Sequence, residues 1–183
     1  FRITHNGERL VGIGIDDADR TRRMAVSLFD ISDIYDIKML SRTHLTKGYS
    51  WSNANWDDKA FSVLEDEGLV LVPYSGYDDK KGEYLSGIRI VELSKNTVLS
   101  RGNFAQKGTV ERTFTVNKDV TNISQEEMTI LDIADKDDPK EKSRLELAPN
   151  VEDFYVFGSY GVEKVVKYRR YNSPGTVVLR TVD

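Results

Sequence analysis

The chain has 183 residues, with 26 Lys plus Arg against 30 Asp plus Glu, a net charge of −4 and no cysteine. The composition excludes a disulfide framework, a thiolate nucleophile and any Cys-ligated metal or iron–sulfur centre. Its mild acidity argues against a dedicated nucleic-acid binder, and its apolar runs fall far short of the ~20 residues that span a bilayer.

The opening Phe1-Arg2-Ile3-Thr4-His5 has no initiator Met and no signal-like segment, so Phe1 is expected to be a cut point. Beyond it the apolar runs are short, rich in β-branched and aromatic residues, and separated by turn residues. Strands are expected at 10–15, 25–31, 60–64, 69–74, 88–93, 113–116, 120–124, 128–133, 154–160, 164–168 and 176–182. The best helical stretch, 162–170, reads better as strand. Gly68 closes the turn Glu65-Asp66-Glu67-Gly68, where positive φ is expected of it. Asn117-Lys118-Asp119 and Gln125-Glu126-Glu127 read as polar tips, and Asn172-Ser173-Pro174-Gly175 as a turn.

Leu69-Val70-Leu71-Val72 is apolar on both faces, which asks for cover on both sides. Radially stacked sheets supply that cover. A repeat points the same way. Residues 27–45 and 129–147 align without gaps and share eight of nineteen residues, including Asp30/Asp132, Asp33/Asp135 and Ser41-Arg42/Ser143-Arg144. Chance gives about one or two. A weaker third copy runs through 88–94 to Ser100-Arg101. Each unit reads as a buried third strand, an Asp-led hairpin and an outer edge strand carrying Ser-Arg. The acidic residues are read as turn formers, since the EF-hand pattern is absent.

Five motifs then occur in order: Leu10-Val11-Gly12-Ile13-Gly14, 25–33, Tyr49-Ser50-Trp51-Ser52-Asn53-Ala54, Asp57-Asp58-Lys59-Ala60-Phe61 and Leu69-Val70-Leu71-Val72-Pro73. Over residues 10–147 the chain resembles secreted proteins with a C-terminal β-propeller domain distantly related to WD repeats. It departs at Asp58, where that family typically has His. The resemblance implies an all-β fold: a partial β-propeller of four-stranded blades, closed by residues outside this chain. Residues 1–147 are expected to form about three blades, the first incomplete. Residues 148–183 are expected to form further strands of a closing blade. The implied setting is extracellular or cell-surface, and the implied partners are the remaining blades and other proteins of a surface assembly.

Chemistry-bearing groups are sparse. His5 and His44 lie 39 residues apart and read as ordinary surface or loop residues. The pairs Asp16-Asp17, Asp57-Asp58, Asp78-Asp79 and Asp137-Asp138 sit in polar loops, where the raised pKa of a glycosidase acid is not expected. There is no G-x-S-x-G. Gly12-Ile13-Gly14 lacks the rest of a dinucleotide site and reads as close strand packing. No catalytic set, metal or cofactor is expected. Tyr49, Trp51, Trp56 and Tyr77 are the candidate contacts to a partner or glycan, with Tyr74 and Tyr84 nearby and protein contact ahead of carbohydrate. The alternative packs both tryptophans between blades. Asn122-Ile123-Ser124 is a sequon, making Asn122 the candidate for N-glycosylation. A non-enzymatic interaction module is the leading reading. Its rivals are an enzyme with a carboxylate or metal site in the central funnel, and a carbohydrate-binding module using the aromatic loops.

Overall fold

The computed structural model describes residues 1–18, 20–46, 48–78, 83–147, 151–167 and 176–182. The described residues are nearly all in antiparallel strands and turns, with two three-residue 3-10 turns as the helical pieces. The chain divides into two compact units, 1–145 and 146–183.

The first unit holds three antiparallel sheets built as meanders. The first contains β1 (Arg2–Thr4), β2 (Arg9–Asp16), β3 (Arg23–Asp30) and β4 (Lys38–His44) in that order. This blade, expected to be incomplete, has all four strands, although β1 is only three residues long. In the second sheet the central strands are β7 (Leu69–Asp78) and β8 (Glu83–Leu93), followed by β9 (Val98–Ala105). Two short pieces, β5 (Ser50–Trp51) and β6 (Ser62–Leu64), pair with opposite ends of β7 and share the first-strand position. The third sheet contains β10 (Val110–Val116), β11 (Asp119–Ser124), β12 (Glu127–Asp132) and β13 (Lys140–Glu146) in order.

The second blade lies between the other two, and its apolar runs explain why. Successive side chains of a strand point to opposite faces. Val70, Val72, Val91 and Leu93 pack with Val11, Met24, Val26 and Leu28 of the first blade. The alternate residues Leu69, Leu71, Ile88 and Ile90 pack with Val110, Val120 and Leu131 of the third. All four residues of Leu69–Val72 are buried, as their unbroken apolar run requires.

Polar groups fix the spacing between blades. Ser41 Oγ accepts the Val98 N–H at 3.2 Å, and Thr43 Oγ1 accepts the Ser100 N–H at 3.1 Å. Arg9, 6% exposed, donates to Asp30 in its own blade at 2.9 Å and to the Lys95 carbonyl of the next at 2.9 Å. Arg101 grips both oxygens of Asp137, at 2.8 and 2.6 Å, and donates to Glu92 at 2.8 Å. Gly102 N–H bonds the Lys136 carbonyl at 2.9 Å.

The repeated units are the last two strands of the first and third blades, and the weaker copy those of the second. Asp30 Oδ1 accepts the Ser32 N–H at 3.0 Å, and Asp132 Oδ1 accepts the Ala134 N–H at 2.8 Å. Asp33 and Asp135 do the same for Tyr35 and Asp137, each at 2.9 Å. The shared aspartates are therefore turn formers. Gly68 takes φ +63° as expected, and the 117–118 turn has φ +51° and +70°. Gly12 is covered by the Phe1 ring, but Gly14 faces open space, so only the first of that pair marks close packing.

The second unit is a three-stranded antiparallel sheet of β14 (Val151–Phe157), β15 (Tyr160–Lys167) and β16 (Thr176–Val182). The strand expected at 154–160 is broken by a two-residue hairpin, with Phe157 opposite Tyr160 and Gly158 at φ +62°. The stretch 162–167 is strand, not helix. The end of the strand expected at 164–168, and the turn at 172–175, lie outside the described residues.

Candidate interaction surfaces

The aromatic set separates into four situations. Three members meet: Trp51 lies 6.2 Å from Tyr49 and 5.6 Å from Tyr84, the latter edge-on at 68°. The register makes this meeting. Trp51 on β5 sits opposite Ser75 of β7, and the β7–β8 pairing brings Tyr84 alongside. Tyr49 and Tyr84 are 53% and 55% exposed, so the cluster is a surface platform. Trp56, on the segment between β5 and β6, is 87% exposed, which rules out packing between blades for that residue. Tyr74 is buried, with the Arg89 guanidinium 5.4 Å from its ring centre. The Tyr77 backbone pairs with Tyr84, and its side chain lies outside the described residues.

Asn122 is fully buried on the central strand β11, with its amide nitrogen 3.4 Å from Thr129 Oγ1. The folded blade does not present this amide for a glycan, because its face is the one packed on the second blade. The local triplet carries no information about facing.

The histidines and paired aspartates are mostly held in local pairs. His5 N–H donates to Glu65 at 2.8 Å, and Thr4 Oγ1 donates to the same carboxylate at 2.7 Å. His44 Nε2 lies 2.9 Å from Asp16, and that hydrogen bond, foremost among several, holds the Asp16 carboxyl below its ordinary value. Asp57 pairs with Arg112 at 2.7 Å, Asp58 with Arg2, Asp137 with Arg101 and Asp138 with Lys140. Asp79 lies outside the described residues.

One buried ionisable group was not singled out from the sequence. Glu127 sat in what read as a polar tip, but it begins β12 and is fully buried. Its carboxylate accepts the Lys107 N–H at 2.8 Å and a bond from Arg144. Glu141 and Glu127 together raise the Arg144 pKa above its ordinary value. Gln106 donates to the Glu127 carbonyl at 3.0 Å and accepts from Thr129 Oγ1 at 2.8 Å. A buried carboxylate tied to an arginine and a backbone amide is held in place and suited to joining strands.

The outward faces of the two end blades are apolar. Ile3, Leu10, Phe29 and Met39 stand directly opposite one another across all four strands of the first blade. Ile3 and Met39 are 67% and 53% exposed. In the third blade Phe114, Val116 and Leu145 are 39%, 50% and 55% exposed, with Ile123, Met128 and Ile130 half-buried.

A family model for the β-propeller domain matches residues 4–130. The chain belongs to the β-propeller domain family. The match begins in the first blade and ends within β12 of the third, so it covers the stack just described. No curated protein matches the chain. No helix among the described residues is long and apolar enough to cross a membrane.

Proposed function

We propose that this propeller domain is a non-enzymatic interaction and assembly module of an extracellular or cell-surface protein. Its end blades are covered by further propeller blades, from the same polypeptide or another subunit. The observation that carries the reading is the contrast between blades. The middle blade buries both apolar faces against neighbours of its own kind, whereas Ile3, Met39, Phe114 and Val116 on the end blades do not. Contiguous exposed apolar surface of this sort marks an interaction face. Blades of the same build fit it, because they already cover the equivalent faces inside the stack. The Tyr49–Trp51–Tyr84 platform supplies a second, smaller contact for a protein partner, together with the exposed Trp56. The pairing of Glu127 with Arg144 favours a structural over a catalytic role for the one fully buried carboxylate among the described residues. The extracellular setting rests on the resemblance to secreted propeller proteins.

Native mass spectrometry and cross-linking of material from its natural source test this. Cross-links from Lys38 to further propeller blades support the reading. A monomer with no additional blades and no partner rejects it. The carbohydrate reading is favoured by the exposed aromatic platform. Tryptophan fluorescence that changes on adding oligosaccharides, and not in the Trp51→Ala variant, would favour sugar over protein there.

A further inference from the structure

Between the outer strands of the first and second blades lies a pocket of about 340 Å³, lined by Arg23, His44, Leu45, Thr46, Arg89 and Ser100. It is placed by the end of β4 on one side and by β8 and β9 on the other. Arg89 distinguishes it. Its side chain lies over the Tyr74 ring and donates from Nη1 to Asn103 Oδ1 at 3.2 Å. Asn103 in turn donates to the Tyr74 hydroxyl at 3.3 Å, so the guanidinium is held from behind. Nε is buried and has no hydrogen-bond partner among the described residues. Burial also lowers the Arg89 pKa from its ordinary value, and no carboxylate among the described residues contributes to offset it.

Five other arginines of the blades behave differently. Arg9, Arg42, Arg101, Arg112 and Arg144 each reach an Asp or Glu. The lining residue His44 has a carboxylate beside it, Asp16, which is already bonded to His44 and Arg42. A partly buried guanidinium without a counter-ion is costly to keep unless something binds it.

We propose that this pocket is a carboxylate-binding site, with Arg89 as its anchor. The planar guanidinium matches a carboxylate in fork geometry. Ser100 offers a hydroxyl donor, and Leu45 an apolar wall for a short methylene stem. The ligand is a small organic carboxylate or an acidic side chain of a partner protein, which share this chemistry.

The test is heteronuclear NMR of the chain titrated with glutarate and, separately, with a capped peptide containing a single Glu. The expected result is saturable shifts at the Leu45, Thr46 and Ser100 amides, absent with chloride at equal ionic strength. Arg89→Met is expected to raise the dissociation constant at least about tenfold, and Arg89→Lys, which keeps charge but loses the fork, at least about fivefold. Arg112→Met, at a distant ion pair, should leave it unchanged. Glutarate binding with a weaker peptide response assigns the site to small molecules, and the reverse order to a partner side chain. Absence of saturable shifts with both ligands overturns the proposal, as does an unchanged dissociation constant in Arg89→Lys. If Arg89→Met does not fold, Arg89→Lys decides.

Discussion

Gly102 is where the backbones of the second and third blades come within touching distance, and one added methyl group there probes how tightly they are stacked. A Cβ at Gly102 would sit 2.6 Å from the Asp137 carbonyl oxygen and 2.7 Å from that of Lys136. Ordinary contact begins at 3.4 Å, so the two backbones must part by about 0.8 Å. The Gly102 N–H bond to Lys136, now 2.9 Å, does not survive that movement. Losing it costs about 0.5–1.5 kcal/mol, and overpacking about 1–3 kcal/mol. Stiffening of the unfolded chain by alanine returns about 0.4–1 kcal/mol. Gly102→Ala is therefore expected to destabilise by about 1–3 kcal/mol, lowering Tm by roughly 4–8 °C near the middle of that range. Gly14→Ala is the matched control. Nothing lies within 4 Å of its Cβ and its φ is not in the left-handed region, so the same chemical change is expected to stabilise by about 0.4–1 kcal/mol. Calorimetry or urea unfolding of both variants measures the difference. Equal Tm values, or a Gly102→Ala variant more stable than Gly14→Ala, would refute the close approach of these blades.

Three further outcomes follow from named contacts. Lys118, at φ +70° in the 117–118 turn, occupies a conformation glycine adopts freely, so Lys118→Gly is expected to stabilise by about 0.5–1 kcal/mol in urea unfolding. Thr4 lowers the Glu65 pKa, Lys136 and Arg101 that of Glu92, and Arg101 that of Asp137. Folded values below the ordinary 4.5 and 3.8 mean that this stabilisation is complete above them and is lost as pH falls through the folded values. Urea midpoints should therefore be flat above about pH 5 and fall below about pH 4, and a midpoint that rises on acidification contradicts the interblade pairs. Trp56→Ala, at an 87% exposed position, is expected to change stability by no more than about 0.5 kcal/mol, whereas Trp51→Ala, which removes both ring contacts, costs at least about 1 kcal/mol.

Much of the fold is written in residues whose pattern has one physical solution. Leu69–Val72 demanded cover on two faces, and the stack provides it. The Asp30/Asp132 and Asp33/Asp135 pairs marked equivalent turns, and the turns are equivalent. The outer strands β4, β9 and β13 were absent from the apolar pattern because an edge strand need bury little. Lys140–Glu146 is exposed throughout. The repeat revealed them where hydrophobicity could not. The surfaces were less legible. Trp51 and Tyr84 are 33 residues apart, and only the β5–β7–β8 register brings them together. Glu127 and Asn122 looked like loop and sequon residues because their burial comes from the neighbouring blade. Arg89 reads as an alternating polar residue of a strand, and nothing local shows that its carboxylate partner is missing.

The most direct test of the account concerns the end faces. Sedimentation equilibrium of the 183-residue chain over a dilution series, alongside Phe29→Glu and Phe114→Glu variants, measures whether those faces seek cover. The account predicts concentration-dependent association above the 20.8 kDa monomer mass, weakened by each substitution. A monomer of that mass at every concentration, indifferent to both charges, would contradict it.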